Sequence, residues 1–311
     1  MAVYPSSQIS SSTFEKIAEF IFYGNYFYGI CVVAQAVEAT LQQGYPLNGW
    51  LYYFLAFIAT VFYYNYPYVR KYPAESTDPR TLWYKKYYRL VQWNQRCFAF
   101  ILAVSLILFL YHYHASILKA NLIHWLLVLI FPAVAVMYYG LNVFSAKYNL
   151  RKIGWLKPFI IGFIWAGMVS VYPILFQNII KGEPYLYTSI GALLFLKNLM
   201  YISVLAMMFD IKDYAADSKN QLNTFAVKLG LRKMIFYIFL PLPVLGLLTF
   251  LSYATLHHFH LLKMVLIMIP FFLLIAAGFS LRKRRTLMYY LMVIDGLMVV
   301  KAAFGIVAML V

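Results

Sequence analysis

Apolar residues fall in long runs along this chain, at about 17–38, 49–66, 95–112, 121–144, 158–177, 186–209, 234–254, 263–280 and 286–310. Each run is of helix length and is bounded by Pro, Gly or charge. A transmembrane strand would need only about 10 residues in strict alternation, whereas a transmembrane helix needs about 20 apolar residues. Alternation is absent, so the pattern predicts an all-α, polytopic membrane protein of nine transmembrane helices. Residues 1–311 read as a single integral membrane domain, with no internal repeat or low-complexity segment.

Composition sharpens this picture. Hydrophobic residues make up 64% of the chain and charged residues 12%, which excludes an ordinary soluble domain and equally a disordered one. Cys31 and Cys97 are too few for a disulfide framework and read as small apolar packing groups. The first residues, 1–16, are Ser-rich and polar and lack the basic start, apolar run and small-residue site of a secretory signal. They are expected to form a short cytoplasmic tail.

The charge of +16 segregates once it is threaded through nine spans. One side carries only Lys119, Lys181 and Lys263. The other carries Lys16, the cluster from Arg70 to Arg96, then Lys147 to Lys157, Lys212 to Lys233 and Arg282 to Arg285. Basic residues stay on the cytoplasmic side, so the N-terminus is expected in the cytoplasm and the C-terminus outside, in the inner membrane if the chain is bacterial. The excess charge is therefore a topology signal. No basic soluble module exists to suggest a nucleic-acid partner. Two cytoplasmic connections, 67–94 and 210–233, exceed what a bundle turn requires, and such excess marks function.

Three acidic residues, Asp210, Asp213 and Asp217, fall within the segment FDIKDYAADSKNQLNTFAVKLG. On one continuous helix their offsets place the carboxylates within about 60° of each other. Closely spaced carboxylates repel unless a cation sits among them, and Mg²⁺ shared with phosphate oxygens suits such a set. Lys212 and Lys219 add positive charge beside it. The alternative is a solvated, salt-bridged helix end.

The stretch from Asp210 to Asn220, followed by Thr224, Val227 and Gly230, resembles the second aspartate-rich motif of the UbiA-type intramembrane prenyltransferase superfamily. The layout is similar too, with nine spans, this motif after the sixth, Lys157-Pro158 opening the fifth and Asp295-Gly296 in the ninth. The resemblance implies a helical bundle around a lipid-open cavity in the bilayer. In it an isoprenyl diphosphate held by Mg²⁺ on Asp210, Asp213 and Asp217 ionises, and a lipophilic or aromatic acceptor captures the allylic carbon.

The first family motif is degenerate. Asn65 stands where its asparagine is expected, but Tyr66, Val69 and Pro73 occupy the three acidic places, and the spacing of Glu75 and Asp78 does not restore them. Two expectations follow. In the first, Asn65 assists catalysis while Arg70, Lys71 and Arg80 replace the missing metal by pairing with the diphosphate. In the second, the chain is a non-catalytic isoprenoid-binding or accessory membrane protein that keeps the fold. A transporter is a third reading, suggested by Lys197, Asp295 and Lys301 inside spans, where charge is costly and faces a cavity or partner. Asp295 is expected to pair with Lys197 or Lys301. Tyr63, Tyr64 and Tyr66 lie by the expected site and could face an allylic cation, although most rings should be belt or packing residues. The six histidines, His112, His114, His124, His257, His258 and His260, map to the outer side and read as interfacial, with a transition-metal site as the alternative.

Overall fold

The structure, a computed structural model, describes residues 13–69, 78–138, 153–219, 221–256 and 259–311. Among them every regular element is helical. In chain order these are α1 (Thr13–Tyr23), α2 (Tyr26–Gln42), α3 (Trp50–Val69), α4 (Pro79–Lys86), α5 (Tyr88–His112), α6 (His114–Ile117) and α7 (Leu122–Tyr138). Then come α8 (Lys157–Lys181) and α9 (Ser189–Lys212), α10 (Tyr214–Lys219), α11 (Phe225–Met234), α12 (Pro241–Leu256), α13 (Leu261–Ser280) and α14 (Leu287–Leu310).

Where described, each of the nine apolar runs falls mostly on helix. Among the described residues six stretches have the length and hydropathy to cross a bilayer: α5, α8, α9, residues Phe225–Ser252 of α11 and α12, α13, and α14. A seventh arises if α1 and α2, which meet at a 65° bend, form one crossing. Over the described residues α7 is shorter than a span, and α3 has the length but is diluted by tyrosine. The chain is an integral membrane protein.

Helix α2 lies at the centre and packs against α3, α8 and α14; α8 runs along α9, and α13 covers α14. Bilayer lipid is as apolar as leucine, so membrane helices associate through close van der Waals fit, which small residues permit. Gly162 shows this on α8. A Cβ there would lie 2.3 Å from Ser203 Oγ and 2.6 Å from the Leu199 carbonyl oxygen of α9. The core that results is built from Tyr201, Leu205, Met207, Met208, Phe239 and their neighbours. On α5, by contrast, only Val91 is buried, consistent with a helix that faces lipid. Among the described residues three π-helical turns interrupt the spans, at Gly167–Val171, Ile235–Phe239 and Tyr290–Ile294. The last delivers Asp295, whose N–H donates to the Tyr290 carbonyl at 3.0 Å.

The intramembrane charges pair differently from expectation. Asp295 meets neither Lys197 nor Lys301. Glu38 of α2 takes both, with Lys197 Nζ 3.2 Å from Oε1 and Lys301 Nζ 2.5 Å from Oε2. Gly305 on α14 makes room for it, since a Cβ at that position would lie 2.5 Å from Glu38 Oε1. Asp295 sits a turn and a half away along α14, on another face, and accepts from Tyr28 Oη at 2.7 Å. The histidine metal site finds no support among the described residues, which hold no group of three His, Cys, Asp or Glu able to grip an ion. His124 is taken up by Asn121 and the Glu183 carbonyl; His257 and His258 lie outside the described residues.

Replacing Gly162 with Ala should lower the unfolding free energy by about 1–3 kcal/mol, because Ser203 and the α9 backbone must give way. Gly296→Ala, whose Cβ would meet nothing within 4 Å, should not. Thermal unfolding of the two variants in one detergent compares them directly.

Candidate functional site

Helix α9 carries Asp210 to the end of its span and then stops. Asp213 is its C-cap, with φ −88° and ψ 2°, and α10 begins at the next residue. The three aspartates therefore do not ride one continuous helix, as their spacing suggested. A bent junction holds them together instead, with the Asp217 N–H donating to the Asp213 carbonyl at 2.9 Å. Gln221 then takes a left-handed φ of 55°, and the Thr224 hydroxyl caps α11 by accepting from the Val227 N–H. This return is pressed against the start of α8. A Cβ on Gly154 would lie 2.7 Å from Thr224 N, which explains the glycine and brings Lys157 to the aspartates.

Asp210 is fully buried. Its Oδ1 accepts from Lys157 Nζ at 2.7 Å, while its Oδ2 is buried with no hydrogen-bond partner among the described residues. Asp213 and Asp217 both lie within electrostatic range of Asp210, and Asp217 is within range of Lys157 as well. Asp217 is buried, whereas Asp213 is partly exposed and pairs with Lys212. Lys219 is exposed at the end of α10. An orphaned buried carboxylate oxygen is expensive, and a cation or a cation-bound phosphate is the kind of group that would satisfy it.

These residues do not amount to a preassembled metal cage, since no three ligating side chains converge among the described residues. They do fit Mg²⁺ in another form. Mg²⁺ commonly takes only one or two carboxylates from the protein and the rest of its shell from water and substrate phosphates. The unsatisfied Asp210 oxygen beside Asp213 and Asp217 suits that role.

Asn65 is placed elsewhere. It is buried in α3, its Oδ1 accepting from Asn25 Nδ2 at 2.9 Å and from Tyr84 Oη at 2.6 Å while its Nδ2 donates to the Gly24 carbonyl at 3.2 Å. These bonds occupy both ends of the amide and tie α3 to the bend before α2 and to α4. The hub of this network is Asn25, buried and left-handed at φ 63°, at the bend between α1 and α2. Its side-chain oxygen accepts from Arg80, which also donates to the Tyr23 carbonyl and lies over the Tyr68 ring at 5.1 Å. Burial pushes the Tyr84 pKa up, against the opposing pull of Arg80. The phenol therefore remains a donor across the physiological range.

Arg80 also lies within electrostatic range of Tyr28 and Asp295. Around that pair stand stacked rings: Tyr28 and Tyr64 at 4.4 Å, with Trp165 Nε1 donating to Tyr64 Oη at 2.7 Å. Of the tyrosines expected near the site, Tyr64 belongs to this group, while Tyr63 donates to the Ala135 carbonyl toward α7. Arg70 and Lys71 lie outside the described residues.

Spacing did not reveal the positions of Asn25, Tyr84 and Tyr28. The Gly24-Asn25 pair inside the first apolar run was the available signal, since such a pair marks a turn rather than mid-helix. The role of Lys157 could have been suspected from its position before a proline at the start of a span.

No family model matches this sequence, and no curated protein sequence matches it. A solved structure of a digeranylgeranylglyceryl phosphate synthase does match. It has a TM-score of 0.55 at 16% identity, over 95% of this chain and 99% of that one. The two share one fold along nearly their whole lengths.

If Asn65 is a structural tie, Asn65→Ala strands Asn25 and Tyr84 and should cost about 1–3 kcal/mol of stability, equally with Mg²⁺ and with chelator. A loss confined to the Mg²⁺-loaded protein would make it a metal ligand instead.

Proposed function

We propose, starting from that shared architecture, that this protein is a membrane prenyltransferase that moves an isoprenyl group from a prenyl diphosphate to a lipophilic or aromatic acceptor. The observation that carries the reading is the Asp210 carboxylate, buried at a helix end with one oxygen paired to Lys157 and the other unsatisfied. A site built to bind a metal-complexed diphosphate has use for such an oxygen; a purely structural ion pair does not.

In this reading nine crossings place the N-terminus in the cytoplasm and the C-terminus outside. The connections 67–94 and 210–233 face the cytoplasm, where the diphosphate arrives. Asp210, Asp213 and Asp217 would hold Mg²⁺, which when bound supplies charge neutralisation for the diphosphate. Lys157, Lys212 and Lys219 add fixed positive charge on the same side. Arg80, pinned by Asn25 and Tyr23, offers a guanidinium whose position is set before substrate binds; preorganised charge of this kind is what stabilises a departing anion. Arg70 and Lys71 would reinforce it. Breaking the C–O bond leaves diphosphate with the electron pair and an allylic cation, which the faces of Tyr28, Tyr64 and Trp165 can stabilise through their ring quadrupoles. The acceptor's electron pair then forms the new bond, and its proton is released.

A second reading is a non-catalytic isoprenoid-binding protein that keeps the fold. It is favoured by Lys157 already neutralising Asp210 and by the commitment of Asn65 to structure.

Farnesyl diphosphate with Mg²⁺ should raise the unfolding midpoint of the purified protein, and EDTA should remove the effect. Asp213→Ala and Asp217→Ala should each weaken binding about tenfold or more. Release of pyrophosphate in the presence of acceptor lipids establishes transfer; Mg²⁺-dependent binding without release selects the second reading. Binding indifferent to chelator and to both substitutions overturns the site itself.

A further inference from the structure

The buried cluster of Glu38, Lys197 and Lys301 lies far from the acidic site. Lys197 is about 12 Å along α9 from its first residue and about 20 Å from Asp210 along the helix axis. Glu38 supplies one carboxylate for two ammonium groups, and the ion pairs of the described residues place no second carboxylate beside either. Glu38 Oε1 also accepts from Gln42 Nε2 at 3.1 Å, and Gln42 Oε1 accepts from Lys197 at 2.8 Å. With both lysines protonated the cluster carries one uncompensated positive charge inside the membrane, where such a charge is costly and marks a pathway or a partner.

The two lysines differ in what lies next to them. Lys301 faces inward, over the Tyr201 ring at 5.8 Å. Lys197 forms part of the wall of a pocket between α2, α9, α12, α13 and α14, open on one side and with an inner volume of about 40 Å³. Gln42 and Lys197 are the only polar residues that line it; the remainder is apolar, with Leu193, Met200, Phe250 and Met309 among them. Pockets that hold small molecules have this make-up, a greasy wall with a few polar groups that fix orientation.

We propose that this pocket binds a long-chain carboxylate, its head on Lys197 and its tail along the apolar wall. The head balances the missing negative charge, and an ammonium with two acceptors filled still has one proton to donate. A terminal carboxylate fits better than a phosphodiester lipid. The latter carries glycerol and headgroup atoms beyond its charge, and of the described residues lining the pocket only Gln42 stands beside Lys197 to hydrogen-bond them.

The full-length protein in detergent micelles, titrated with oleate, oleyl alcohol and phosphatidylglycerol, tests this by displacement of a fluorescent fatty acid. Oleate should displace the probe, and oleyl alcohol, with the same tail and no charge, should need about tenfold more or worse. Lys197→Arg should keep oleate binding and Lys197→Met should weaken it about tenfold or more. Leu193→Trp, which fills the pocket one turn away, should abolish it. If Lys197→Met does not fold, the acid-to-alcohol ratio and Leu193→Trp decide. Equal binding of acid and alcohol, tighter Lys197-dependent binding of phosphatidylglycerol, or unchanged binding in Leu193→Trp overturns the assignment. None of these readouts uses a prenyl diphosphate, so the outcome stands apart from the proposed activity.

Discussion

A polar side chain sealed inside a membrane bundle has no water to fall back on, so its partners must come from other helices, and those partners fix where the helices lie. Two such knots organise this molecule. At one end, Asn25 gathers Asn65, Tyr84 and Arg80, joining α2, α3 and α4 around the bend after α1. At the other, Glu38 gathers Lys197 and Lys301, joining α2, α9 and α14. Both knots are tied to α2, the helix that packs at the centre. The apolar contacts around it supply area and close fit, but lipid competes for them on nearly equal terms. The polar ties give the bundle one arrangement rather than several.

The candidate site follows from the same constraint applied incompletely. Asp210 is buried as deeply as Glu38, yet only one of its oxygens is served. Where Glu38 is satisfied on both sides, Asp210 retains an open valence beside two further carboxylates and the lysine that opens α8. Gly154 makes this geometry available, because only without a side chain can the α8 approach lie against the return at Asn223 and Thr224. A packing detail in one loop thus sets the electrostatics of another.

Much of the architecture was legible in the residues themselves, since runs of apolar side chains admit few alternatives to helix and all nine runs are mostly helical where described. The aspartate cluster could likewise be found by spacing. Its geometry could not, because a carboxylate at position 213 says nothing about whether the backbone continues or caps there. The pairing of intramembrane charges failed for a related reason. Glu38 lies at the end of an apolar run and reads as a boundary residue, so Asp295 looked like the sole candidate for Lys197 and Lys301. Asn65 shows a further limit of local sequence, because the partners that hold it, Asn25, Tyr84 and Gly24, lie 19 to 41 residues away.

Glu38 also bears on how the chain is made. Its two cations follow it by 159 and 263 residues. At ribosomal speeds of about 5 to 20 residues per second, the later one emerges roughly 15 to 50 seconds after the acid. Until Lys197 of α9 arrives, α2 harbours a carboxyl group with no counterion, so it must wait protonated or near the headgroups. The docking of α14 then brings the second cation and fixes α2, α9 and α14 around a single acid.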